Sequence, residues 1–386
     1  MAAPYRRAPC VLASRNGRFP DAVAHYRPFP KEEHRMRRGV LTTIILALGL
    51  CCGAAWTAGQ AQAAGDKPTI KLAAQATSGQ VFQYLAKNKG YLDDEGINVE
   101  MVYINNGTDA FSALSSGKVN VISTYGTGGP LIQIANGQRF SIFGGYMIIG
   151  ATPVFALPGT EYKGIESFRG KKIAIMRGGT PDIVLKGILH DAGFDIAKDV
   201  TFVEIKRNQE VMEAVRSGQC DFGAVSTGFE PQINESGMRI VLWPDELWPN
   251  HSCCRMLSQT EWMQKNPELL KKLLRAYLRA ERDMHQPGGM DTVVQLTTKE
   301  LDMPESLVRS FVQSPHMIYE TDPYKNSVTL MWNKMQSFGY IKDPAINIDD
   351  HINTVIYKSA LDSLLAEYPD DAFYKQKLDM FKQYNS

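Results

Sequence analysis

The sequence has almost no net charge: 42 Lys and Arg stand against 41 Asp and Glu, a formal balance of +1 over 386 residues. Without a global field, nothing draws the chain to nucleic acid or to an anionic membrane surface. Cysteine is scarce. Past residue 65 only Cys220, Cys253 and Cys254 remain, three thiols that cannot all pair and are too few for a disulfide scaffold. A vicinal Cys253–Cys254 bridge would strain the peptide between them, and a bridge from Cys220 to either one stays open at this level. Enzymatic signatures are also missing. There is no G-x-S-x-G elbow, no H-E-x-x-H and no phosphate loop ending in Gly-Lys-Ser/Thr. His190, His251, His285, His316 and His351 are scattered without metal-ligand spacing, so neither metal nor cofactor is expected. His251-Ser252-Cys253-Cys254 does gather soft ligands. On an extended segment, however, adjacent cysteines point to opposite faces, which makes a structural role the expectation.

Long apolar runs are confined to one place. Arg35, Arg37 and Arg38 precede an apolar stretch from Val40 to Trp56, and small residues then lead to Ala61-Gln62-Ala63. A basic, an apolar and an A-x-A region in this order read as a secretory signal peptide cut after Ala63, which predicts a periplasmic protein. Met36 stands where such a signal should begin, so residues 1–35 are expected to derive from an upstream start codon. Two alternatives are an uncleaved anchor, for which the run is short, and lipidation at Cys51, for which Leu50 is too bulky a neighbour. No other segment approaches the roughly 18 consecutive apolar residues of a span.

The remaining chain alternates strand and helix patterns. Thr69–Ala73 and Ile97–Val102 alternate polar and apolar residues, Val119–Ser123 is a third short strand, and helices are expected near Val81–Asn88 and after Asn105. A second segment repeats the design. It runs through a strand at Lys172–Met176, a helix at Ile183–Ala192, a strand at Val200–Ile205, a helix at Asn208–Ser217 and a strand at Phe222–Val225. In both, a helix ends in Ser-Gly (Ser116-Gly117, Ser217-Gly218) just before a strand, which fits left-handed glycine caps. The prediction is an α/β protein with two similar lobes. From Thr260 onward the pattern is helical, and Leu269, Leu270, Leu273, Leu274, Tyr277 and Leu278 form a core-facing stripe.

In open α/β sheets ligands bind where loops leave the carboxyl ends of strands. Four loops fit: Gln75–Gly79, Asn105–Asp109, Thr124–Gly129 and Arg177–Pro181. Each mixes glycine with Thr, Ser or Asn ahead of a helix, offering amides and hydroxyls to a carboxylate, sulfonate, phosphate or polar heterocycle. In Gly178-Gly179-Thr180 the glycines allow close backbone approach, and Arg177 beside them could pair with an anion. Tyr125 and Phe229 are candidate walls for a planar or aliphatic ligand. The same features also serve as ordinary turn, cap and core chemistry.

Together these stretches resemble the substrate-binding proteins of ABC importers for nitrate, sulfonates, taurine and thiamine-related pyrimidines (NMT1/THI5-like). The resemblance is carried by Gly90–Val99, by Ala113–Val121 with Asn120 where Asp is usual, by Lys163–Ala174 and by Asn266–Tyr277. It implies a periplasmic-binding-protein fold of type II, with lobe 1 at 68–158 and 256–386 and lobe 2 at 159–255. The hinge crossovers would lie near Phe155–Glu161 and Leu247–Leu257. It further implies a cleft lined by Thr77, Ser78, Gly79, Asn106, Gly107, Thr124, Tyr125, Gly126, Gly178, Gly179, Thr180 and Ser226 to Glu230. The partners expected are a small organic ligand and an inner-membrane ABC permease, with the chain itself a monomer, no cofactor and no catalysis. Few basic residues stand in these loops besides Arg177, which favours an organic ligand over an inorganic anion. Two alternatives are a pyrimidine synthase of thiamine biosynthesis, whose fuller cysteine run is missing here, and a periplasmic ligand sensor.

Overall fold

The computed structural model describes residues 67–75, 80–342 and 345–386. The expected leader over residues 1–63 and the loop residues Thr77, Ser78 and Gly79 lie outside the described residues.

The described strands form two mixed sheets. β1 (Thr69–Ala74), β2 (Asn98–Tyr103), β3 (Val121–Ile122) and β4 (Phe140–Ile149) belong to the first. The second consists of β5 (Val154–Ala156), β6 (Lys172–Ile175), β7 (Thr201–Glu204), β8 (Phe222–Ala224) and β9 (Arg239–Leu242). β10 (Cys254–Gln259) and β11 (Ile318–Tyr319) then return to the first sheet. The orders are β11-β4-β10-β3-β1-β2 and β7-β6-β8-β5-β9.

The repeat read from the sequence is a repeat of structure. β1 lies between β2 and β3, parallel to both, and β6 lies between β7 and β8 in the same way. The helix Gly107–Ser115 closes on Gly117 (φ +72°) and the helix Asn208–Arg216 on Gly218 (φ +74°). Glycine alone adopts that conformation without strain. Each cap turns the chain back toward its sheet, with Lys118 N donating to Ala113 O and Cys220 N to Ala214 O, both at 2.9 Å.

Two passages join the sheets, residues 150–153 between β4 and β5 and residues 243–253 between β9 and β10. The first falls a few residues before the Phe155–Glu161 stretch implied by the resemblance. Phe155 is already in β5, paired antiparallel with Gly223 of β8 and Ile240 of β9.

β4 is buried along all ten residues, as its nearly unbroken apolar run requires. A Cβ at Gly145 would collide with the carbonyl oxygens of Glu320 and Asp322, so a glycine there lets the 320–322 segment lie directly on the strand. Behind it the helix Pro267–Met284 lays Leu270, Leu273, Leu274, Tyr277 and Leu278 into the largest apolar cluster, as the stripe predicts, while Leu269 at its edge is only partly buried.

This segment also carries a buried charge network. Lys377 Nζ lies 2.7 Å from both oxygens of Glu320 and contacts Glu281 as well. Thr321 Oγ1 donates to Glu281 at 2.5 Å. Arg255, fully buried, donates to the carbonyls of Asp322 (2.7 Å) and Met147 (2.5 Å). Three carboxylates thus face two cations, and removing charges from water favours their neutral forms. Burial, reinforced by Glu320, lifts Glu281 well above the usual carboxylate range despite Lys377. Burial and Glu320 likewise push Asp322 up to about 7.

The folded protein therefore holds protons that an unfolded chain has released. The stabilisation from a raised carboxylate is complete below its unfolded pKa and is lost as pH rises through the folded one. We expect the unfolding free energy from urea titrations to fall between about pH 5 and about pH 8, by up to about 1.4 kcal/mol per pH unit for each proton. Glu281→Gln, an amide in place of the protonated acid, should flatten that slope. A variant slope equal to that of the parent protein would place the proton elsewhere.

Candidate functional site

The loops at the carboxyl ends of β3 in one sheet and of β6 and β8 in the other reach the two passages. The loop after β3 is pinned first. Thr124, buried, accepts from Gln75 N through its Oγ1 at 2.7 Å, and this fixes the exit of β1. Tyr125 donates to Ile104 O at 2.9 Å and packs edge-on against Phe111. Gly126 (φ +73°) then turns the backbone, and a Cβ there would lie 2.9 Å from Thr180 Oγ1 of the other half. A Cβ at Gly128 would overlap Ile183. The loops of the two halves are therefore in direct contact.

From the second sheet, Gly178 (φ +75°) donates its amide to Asp182 Oδ2 at 2.7 Å, and Gly179 caps the helix Thr180–Asp191. Thr180 is buried and donates to Cys253 O at 3.2 Å. Thr127, from the first sheet's loop, donates to that same oxygen at 3.3 Å. One backbone carbonyl in the return passage thus accepts a hydroxyl from each half. The helix Thr180–Asp191 adds a second bridge: Tyr340 OH donates to Asp182 at 2.6 Å and accepts from Lys186 Nζ at 2.5 Å, while Lys186 pairs with Asp182 within the helix.

Other expected site residues are engaged locally. Asn106 is exposed, and its side chain caps the helix Gly107–Ser115 by accepting from Asp109 N at 2.9 Å. Gly107 lies against the Phe111 ring. Arg177 is exposed, pairs with Glu204 at 2.8 Å and lies over the Tyr340 ring. Ser226 N donates to Asn208 Oδ1 at 3.2 Å. Phe229 packs against the cluster containing Phe155, and Glu230 begins the short helix Glu230–Glu235. Thr227, between them, is buried with its hydroxyl close to Gly150.

The passages supply residues that the sequence reading left out of the site. Cys253 and His251 are buried, and the His251 ring lies between Trp248 O (3.3 Å from Nδ1) and Gly150 N (3.5 Å from Nε2). Adjacent cysteines were expected on opposite faces, yet the two sulfurs lie 3.6 Å apart. The reason is local: Ser252 takes φ +61° and Cys253 precedes the regular strand, so the alternation has not begun. The hydrogen bond from Cys254, with His251 and Thr180 adding to it against the cost of burial, holds the Cys253 thiol below the ordinary thiol range. Its partner is pushed up. Among the described residues no group of three or more His, Cys, Asp or Glu is placed to hold a metal. Thr152 Oγ1 and Ser252 Oγ, one in each passage, are buried hydroxyls without a partner. Nothing in the pattern of either stretch marked them, since unpaired burial is a property of the folded passage.

Two open grooves lie elsewhere. One of about 580 Å³ is bounded by Lys271, Val355, Lys358 and Phe381, the other of about 300 Å³ by Gln209, Met212, Arg216 and Met238. Neither contains a residue of the interlobe loops.

The fold has close counterparts among solved structures. The periplasmic aliphatic sulphonate-binding protein of Escherichia coli superposes with a TM-score of 0.61 at 16% identity, over 74% of this chain and 92% of that one. The periplasmic nitrate-binding protein of Synechocystis PCC 6803 gives 0.62 at 17%, over 78% and 89%. The zinc-bound ligand-binding component of an ABC-type import system from Staphylococcus aureus gives 0.63 at 15%, over 76% and 99%. These likenesses establish the two-lobed periplasmic-binding-protein fold. A search of curated proteins found no match. The family model described as NMT1/THI5 like matches residues 79–288, more than half of the sequence and most of both sheets, and the chain belongs to that family.

Proposed function

We propose that this protein is the periplasmic solute-binding component of an ABC importer, which closes its two lobes on a small organic molecule and presents it to a permease. The observation that carries the reading is the meeting of loops from both sheets at the Cys253 carbonyl, through Thr127 and Thr180. A ligand seated at the carboxyl ends of parallel strands would be enclosed by this contact, and hinge motion at the two passages would admit and release it. The unpaired buried hydroxyls of Thr152 and Ser252 offer polar groups to such a ligand, because buried polar atoms otherwise find partners. Thr77–Gly79, Thr124–Gly126, Gly178–Thr180 and Ser226–Glu230 are proposed to complete the lining. Arg177 already pairs with Glu204, which favours a sulfonate, carboxylate or pyrimidine-like ligand held by hydrogen bonds over a bare inorganic anion. Export through the signal ending at Ala63 belongs to the same reading. No described helix is long and apolar enough to cross a membrane.

Thermal-shift screening against alkanesulfonates, carboxylates, pyrimidines and nitrate should give one class with a large rise in melting temperature, as for any ligand that binds only the native state. No shift in any class, on protein freed of carried-over ligand by unfolding and refolding, would refute solute binding. Once a ligand is found, Thr180→Val should weaken it several-fold. The variant keeps the side-chain shape but loses one hydroxyl bond to Cys253 O, worth about 1 kcal/mol in the closed form. Affinity equal to that of the parent protein, by titration calorimetry, would mean that the Thr180 contact does not stabilise closure.

A further inference from the structure

The Cys253 and Cys254 thiols have no role in the solute-binding reading. Both are free and buried, with their sulfurs 3.6 Å apart on one side of the chain. A Cβ at Gly150 would overlap the Cys253 sulfur, so the opposite passage leaves room for that thiol. Cys253 Sγ also lies 3.9 Å from Thr180 Oγ1, at the first turn of the helix Thr180–Asp191. A helix N-terminus and a nearby imidazole both favour a thiolate. Cys220, the remaining described cysteine, is buried in a separate cluster with Phe155 and Val211.

We propose that Cys253 and Cys254 form a thiol–disulfide exchange site whose co-reactant is a small disulfide or the disulfide of a redox protein. The Cys253 thiolate attacks one sulfur of the incoming disulfide. That S–S bond breaks, and the displaced half leaves as a thiolate that takes up the proton given up by Cys253. The Cys254 thiolate then attacks the Cys253 sulfur and expels the second half, which takes the proton lost by Cys254. The pair gives up two electrons and two protons, which end on the two thiols released. Neighbouring Cα atoms are about 3.8 Å apart, below the usual span of a bridge, so the product is strained and readily reduced. Closing the bridge reorients the Cys253 peptide, whose carbonyl accepts from Thr127 and Thr180, and so couples oxidation to the contact between the lobes. The inference does not depend on what the cleft binds.

The test uses the full chain, treated with oxidised glutathione, unfolded in N-ethylmaleimide and digested for mass spectrometry. The peptide holding both residues should be unlabelled and two hydrogens lighter than the dithiol, and dithiothreitol should restore it. Cys254→Ser should stop at a glutathione adduct on Cys253. Two maleimide labels on the parent peptide after prolonged oxidation, or a bridge from either residue to Cys220, would overturn the proposal.

Discussion

A single backbone oxygen, the carbonyl of Cys253, ties the two halves of this molecule together at their loops. It accepts one hydroxyl from the β3 loop of the first sheet and one from the β6 loop of the second. A carbonyl has two lone pairs, and here each serves a different half. Gly126 and Gly128 are part of the same constraint, because any side chain at either would strike Thr180 or Ile183 and hold the halves apart. The packing of the helix Thr180–Asp191 follows from this contact: once its first turn is seated, Ile183, Val184 and Ile188 join an apolar cluster with Leu131, Val328 and Trp332 of the first half.

Much of the fold was legible in the sequence because it rests on local rules. The period-two strands, the Ser-Gly caps and the leucine stripe of Pro267–Met284 each follow from backbone geometry or from one face of one element. The crossover was less legible. The resemblance implies a crossover from Phe155, and only pairing with β8 and β9 makes Val154–Ala156 a strand. The candidate site can be read from the sequence as a set of loops, and the contacts among them come only from the fold. Asn106 and Arg177 have the right chemistry for a ligand, but nearer partners in Asp109 and Glu204 engage them. Thr127 lies in a candidate loop and His251 in a soft-ligand run, but their contacts to Cys253 O and Gly150 N depend on residues more than a hundred positions away in sequence.

Charge is handled differently in the interior and on the surface. The surface pairs, such as Lys67–Asp93 and Arg216–Glu213, are solvated and contribute little each. Beneath β4 and β11, by contrast, two buried cations are shared among three carboxylates, and protons make up the difference. That arrangement anchors the helix Ala372–Tyr384 through Lys377, and through Asn385 to Asp322 at 2.7 Å, so the end of the chain is fastened to the strand from which the first passage departs.

The glycine at position 150 and the thiol at position 253 fit together as tooth and notch between the two passages. Two connectors meshed in this way share one small space, which only a glycine at 150 leaves open to the sulfur. Bulk added to one connector must therefore be matched by bulk removed from the other.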